Sequence, residues 1–132
     1  MKCLIDTHIL LWLLFNPTKV SDDKLLILED PENEVYVSSL SFWEISLKYG
    51  LGKLDLSGVL PQDLPKLAQK MGINILEARA EEFSGYHQLA RVDKHKDPFD
   101  RMIIWQAICN DLMLISVDRK FTTYTEFGLK LL

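Results

Sequence analysis

Cysteine and histidine are scarce in this chain of 132 residues, with two of the first and three of the second. Cys3 and Cys109 are far apart, and each sits inside an apolar run. Without close spacing they make no zinc site. Each reads as a buried free thiol, at home in a reducing cytoplasm. His8, His87 and His95 do not fall at a metal-binding spacing such as His-x-x-x-His. Positive charge is also short: 15 bases meet 19 acids, a net charge of −4. That excludes a protein coating nucleic acid through overall basicity. Nucleic acid could be handled only through a local basic patch or through metal ions that offset the acids. A long apolar run is missing too. Lys2 and the stretch from Ile9 to Phe15 imitate a secretion signal, but Asp6 and His8 interrupt it and no small-residue cleavage site follows. The stretch is too short to cross a bilayer. The expectation is a cytoplasmic protein that does not enter the membrane. Repeats, low-complexity runs and linkers are absent, and the length suits one domain spanning residues 1–132.

What is present is an ordinary core-forming composition, 48% hydrophobic and 26% charged. Four short apolar segments read as strands: residues 2–6, 34–39, 73–76 and 112–118, with a fifth candidate at 129–132. They do not alternate strictly, as expected of parallel strands covered on both faces. Helical patterns lie between them. "SFWEISLKY" ends at Gly50 and "PQDLPKLAQKM" at Gly72, each glycine suiting the left-handed position after a helix. "RAEEFSGYHQLARV" and "PFDRMIIWQAICN" follow. Strands alternating with helices predict a three-layer α/β/α sandwich around a mostly parallel sheet of four to five strands.

In such sheets ligands bind beyond the carboxyl ends of the strands. Asp6 closes the first predicted strand and Asp118 the fourth. Glu44 falls in the first turn of the helix after the second strand, and Asp100 in the first turn of the helix before the fourth. Each acid also has a plain structural use. Ser41 and Glu44 fit a capping box. Asp97 fits a cap with Pro98 at the first helical position, and Asp100 would favour the positive helix end. Asp118 and Asp6 could each cap the helix that follows. Capping, however, does not require four acids at one sheet edge. Clustered carboxylates repel, and some would take up protons unless cations bind. Hard divalent ions such as Mg²⁺ or Mn²⁺ accept such oxygens. One or two of them can serve the attacking water and leaving oxygen of a phosphodiester.

The ordered segments "LIDTH" (4–8), "SLSFWEISLKYGLGKL" (39–54), "HKDPFDRMIIWQA" (95–107) and "LISVDRKFTTY" (114–124) resemble PIN-domain ribonucleases over nearly the whole chain. They are most similar to the VapC-type toxins of toxin–antitoxin pairs. The resemblance implies a PIN-like fold and Mg²⁺- or Mn²⁺-dependent hydrolysis of RNA with a 5′-phosphate product. Asp6, Glu44, Asp100 and Asp118 match the acidic quartet that is both catalytic and metal-binding. Asp97 matches an extra acid, read here as a cap that orients the loop rather than a metal ligand. Ser116 matches a position where the family keeps a hydroxyl, and Thr7 would sit beside the metal. Trp105 departs from the family's usual small residue. The resemblance further implies a homodimer and a small antitoxin that blocks the acidic site. The apolar stretches "HILLWLLF" and "DDKLLILED" are suited to such partners.

Lys94, Lys96, Arg101, Arg119 and Lys120, with Arg91, flank the third and fourth motifs and form a candidate path for an RNA backbone. Arg101 has the alternative of pairing with an acid. His95, beside the third motif, is the histidine best placed for a direct role. Trp12, Phe15 and Trp43 read as core or interface. Two other functions remain open on sequence: a non-catalytic PIN-like RNA-binding scaffold, and an aspartate-based phosphoryl-transfer protein. The latter's Asp-x-Asp pattern is missing, since the chain has Asp6-Thr7-His8. A DNA substrate is a third.

Overall fold

The computed structural model describes residues 1–92 and 94–132. Five parallel strands form one sheet in the order β3-β2-β1-β4-β5. They are β1 (Lys2–Ile5), β2 (Glu34–Ser38), β3 (Asn74–Leu76), β4 (Met113–Ile115) and β5 (Lys130–Leu131). All five segments read as strands from the sequence are strands, each shorter than its apolar run. The helices are α1 (Thr7–Phe15), α2 (Asp22–Glu29), α3 (Ser39–Gly50), α4 (Leu64–Lys70), α5 (Ala80–Gly85) and α6 (Pro98–Cys109), with a long 3-10 turn at Arg119–Phe127.

The sheet is covered on both faces, which explains its apolar strands. Cys3, Ile5, Val35, Val37 and Ile115 face a core shared with α1, α3 and α4. Leu4 and Leu114 face the opposite way, onto Ile103, Ile104 and Ala107 of α6 and onto Phe121 and Tyr124. The period of two along each strand thus divides one apolar run between two cores. The result is the PIN-like α/β/α sandwich.

Strand order positions the site. From β1 the chain moves outward through β2 and β3, then returns to the other side of β1 with β4. Ile5 pairs with Ile115, so Asp6 and Ser116 leave neighbouring strands side by side. This is the reversal point at which open α/β sheets bind ligands. α3 follows β2 directly and starts at the same edge. α6 precedes β4, so its N-terminus lies there too.

Three local expectations need correction. The N-cap of α3 is Ser38, whose hydroxyl accepts the Leu40 N–H, and not Ser41. Ser41 is a fully buried helical residue, and Glu44 lies in the second turn. The helix runs through Gly50, and Gly52 takes the left-handed conformation instead, at φ 74°. Gly50 is the last helical residue, and the chain turns out of the helix two residues later, where only glycine takes that φ without strain. Gly72 has the left-handed φ of 84° expected of it. Lastly, Cys109 at the end of α6 is exposed, whereas Cys3 is buried. α6 turns its buried stripe through Ile103, Ile104 and Ala107, and Cys109 falls outside it.

Candidate metal centre

Each acid at the sheet edge is held by the backbone that delivers it. Asp6 caps α1: its Oδ1 accepts the Ile9 N–H at 2.8 Å. Ser116 donates to the other oxygen, Oδ2, at 2.5 Å. The same Ser116 Oγ accepts the Asp118 N–H at 3.0 Å, and Asp118 in turn caps the 3-10 turn through the Lys120 N–H. Ser116 therefore links Asp6 to the segment carrying Asp118, a specific use for the hydroxyl expected there. Asp118 is three residues past β4 and not at its end. Asp6 is 3% exposed. Burial raises its pKa; Ser116, Ile9 and His8 oppose this and the Asp118 charge adds to it, and the net is upward.

The second group lies at the meeting of α3 and α6. Carboxylate oxygens of Glu44, Asp97 and Asp100 all lie within 4.8 Å of one another. Asp97 is the cap expected of it, accepting the Phe99 and Asp100 N–H groups through Oδ1. It also belongs to this cluster: Oδ1 makes the cap, and no hydrogen bond from the described residues engages Oδ2. The four acids matched to the family are not gathered into a single tight set. Glu44 and Asp100 join Asp97, while Asp6 and Asp118 form the neighbouring pair bridged by Ser116. Asp100 is shifted upward by burial and by the Asp97 and Glu44 charges, with His95 opposing.

Glu44 is 3% exposed and gripped at both oxygens. Thr7 donates to Oε1 at 2.7 Å, with the Ser41 hydroxyl 2.9 Å from Thr7 Oγ1. Lys48 Nζ lies 2.6 Å from Oε2. Thr7 thus lies against the acidic cluster through Glu44. Lys48 is a neighbour of the cluster that motif reading missed, although its i,i+4 spacing from Glu44 on a helix is a readable signal. Burial lowers its pKa, but the Glu44 hydrogen bond and the charges of Glu44, Asp97 and Asp100 prevail and raise it.

Asp100 is oriented from behind. His95 Nε2 lies 3.3 Å from Asp100 Oδ2, and His95 Nδ1 lies 2.8 Å from the Tyr124 hydroxyl. Tyr124 already accepts an N–H of Arg101 at 2.9 Å. Every group is used if Tyr124 donates to Nδ1 and Nε2 carries the proton toward Asp100. Arg101 spends its other donors on the Tyr86 hydroxyl and the carbonyls of Leu89 and Ala90. It is 9% exposed. Among the described residues no acid pairs with Arg101, and although it lines the same cleft as Arg91 and Lys96, its donors are committed to neutral acceptors inside the fold. The buried chain from α6 claims it because planar guanidinium donors match several fixed acceptors at once. Lys94, Lys96, Arg91, Arg119 and Lys120 are exposed. Arg91 and Lys96 line a cleft of about 600 Å³ beside His95, and Lys94 and Lys120 line a second one. His8 and His87 are exposed and outside the acidic cluster. Trp12 packs against a core, but Phe15 and Trp43 are exposed. Trp43 meets Phe99 edge-on at 5.1 Å.

The groups at this edge able to ligate an ion are carboxylate and hydroxyl oxygens, with the His95 imidazole and the Lys48 ammonium beside them. That set suits a hard divalent cation and not a soft one. Two partly buried acids with raised pKa values also leave charge for such a cation to offset.

Residues 3–126 match the family model described as the PIN domain. The chain belongs to the PIN-domain family. Among curated proteins none matches it. Solved structures similar in fold include a chain of VapBC2 from Rickettsia felis bound to a promoter DNA fragment, with TM-score 0.71 and 18% identity, covering 100% of this chain and 98% of that one. VapBC-1 from nontypeable Haemophilus influenzae gives TM-score 0.70 and 19% identity, covering 100% and 97%. VapBC-5 of Mycobacterium tuberculosis, a toxin–antitoxin system, gives 0.60 and 17%, covering 99% and 97%.

Proposed function

We propose that this chain is an endoribonuclease dependent on Mg²⁺ or Mn²⁺, the toxin of a toxin–antitoxin pair. The observation that carries the reading is the convergence of Glu44, Asp97 and Asp100 within 4.8 Å at the carboxyl edge of a parallel sheet, in a chain of the PIN family. Glu44, Asp97 and Asp100 would hold the ion, and Asp6 and Asp118, at the same sheet edge, would add negative charge to the site. When bound, a divalent ion acidifies a water and stabilises charge on a phosphate. Thr7 holds Glu44 in place, Ser116 holds Asp6, and His95 contacts Asp100. The exposed bases Lys94, Lys96, Arg119 and Lys120 draw the RNA backbone toward the edge. The likeness to VapBC-5, a toxin–antitoxin system, supports an antitoxin as partner. The apolar outer faces of α1 and α2, with Leu26 71% exposed, suit an antitoxin or a second copy of the chain.

The test is cleavage of a labelled structured RNA by the purified chain with Mg²⁺, with Mn²⁺ and with EDTA, beside Asp6→Asn. Metal-dependent cutting abolished by the substitution is expected. No cutting together with no stabilisation by Mn²⁺ would leave a non-catalytic PIN scaffold.

A further inference from the structure

One cation already stands at the acidic cluster. Lys48 Nζ is 2.6 Å from Glu44 Oε2, and its ammonium feels Asp97 and Asp100 as well. The two partners are unequally held. The Glu44 side chain is 3% exposed and that of Lys48 43%. Thr7, 7% exposed, holds Glu44 Oε1 from the interior at 2.7 Å. Glu44 therefore does not need Lys48 to stay in position, and with Oε1 engaged by Thr7 the oxygen left for an ion is Oε2, which Lys48 occupies. The lysine stem is long and free to turn outward.

We propose that Lys48 is a built-in competitor of the metal ion: its ammonium occupies Glu44 Oε2 in the ion-free chain and must give that oxygen up when the ion binds. This rests on the metal-dependent reading above and deepens it. Two consequences follow from charge alone. Lys48 offsets one of the three negative charges of Glu44, Asp97 and Asp100, so the cluster stays assembled without an ion. It also repels the incoming ion, so loading requires more metal than an unopposed triad would.

The experiment is a Mn²⁺ titration of the purified chain without RNA, followed by the loss of free Mn²⁺ signal in electron paramagnetic resonance. Wild type, Lys48→Met and Lys48→Arg are compared. Removing a unit charge a few ångströms from a divalent ion tightens binding on the order of tenfold, even with the screening of water. Lys48→Met is expected to show that gain, and Lys48→Arg, which keeps the charge, to stay near wild type. The position is partly exposed and Met is a good helix former, so folding is not threatened. Wild type that binds Mn²⁺ no more weakly than Lys48→Met would overturn the competitor role and leave the metal site standing. Absence of binding in all three proteins would remove the metal site as well.

Discussion

Asp100 carries the sharpest conflict in the molecule. It is packed beside Asp97 and Glu44, and burial and those charges push its pKa upward. A carboxyl with a raised folded pKa favours the neutral form. At neutral pH, above its unfolded value, it therefore subtracts from stability, and that penalty fades as the pH falls and the group protonates. Replacing it by a neutral isostere should relieve the repulsion. Asp100→Asn is expected to raise the melting temperature in EDTA by about 3 °C, the shift that roughly 1 kcal/mol gives in a chain of this size. The same variant should lose the stabilisation that Mn²⁺ confers on wild type. A lower melting temperature in EDTA would mean that the contact from His95 outweighs the repulsion. Stability given up for charge is what a binding site requires, and Asp100 is a residue where that is measurable.

At the scale of elements, a second polar network holds α5 against α6. Glu82, 2% exposed, accepts the Arg79 N–H and Nε, Gln106 Nε2 and Asn110 Nδ2. Gln106 Oε1 accepts the Ser38 hydroxyl at 2.5 Å, so β2, α5 and α6 are tied through buried side chains. Trp105 belongs to the same joint: its Nε1 donates to the Glu82 carbonyl, and its ring packs on Gly85. The departure of Trp105 from the family pattern thus concerns helix packing. Burial would raise the Glu82 pKa, but bonds from Asn110, Gln106 and Arg79 prevail and lower it. A lowered folded pKa adds stability that is present above the unfolded value and lost as the pH falls through the folded one. Glu82→Gln is expected to cost about 2 kcal/mol at neutral pH, as for the loss of charge-assisted bonds. Its urea midpoint should also fall less than that of wild type on acidification. Parallel acid profiles for the two proteins would count against the network. Only the Arg79–Glu82 contact, three residues apart, was legible in "RAEEFSGYHQL". The bonds from Gln106 and Asn110 needed the docking of α6.

For the whole molecule, the question is how an acidic chain receives an anionic substrate. The net charge is −4, and the exposed Lys94, Lys96, Arg119 and Lys120 lie on the segments beside the acids. Lys94→Glu with Lys96→Glu should weaken RNA binding and flatten its salt dependence. If both contact phosphates, the logarithmic slope falls by about 1.4. An unchanged slope would assign those lysines to ordinary solvated surface. Arg101 is left out of that experiment because its donors are consumed inside the fold.

The sequence alone determined the alternation of strands and helices, the apolar runs that become strands, and the caps made by Asp6, Asp97 and Asp118. Those follow from local patterning: period two or 3.6, caps, and glycines after helices. Asp6, Asp97 and Asp118 cap as their neighbours in sequence required, because a cap is made within three residues. Tertiary structure decided which acids stand together. Glu44 reaches Asp97 and Asp100 because α3 and α6 both begin at one edge of the sheet, and Ser116 reaches Asp6 because β1 and β4 are neighbours in the strand order. It also turned Arg101 inward and put Lys48 on Glu44. Partner choice among side chains tens of residues apart depends on how helices dock, and no local period encodes that.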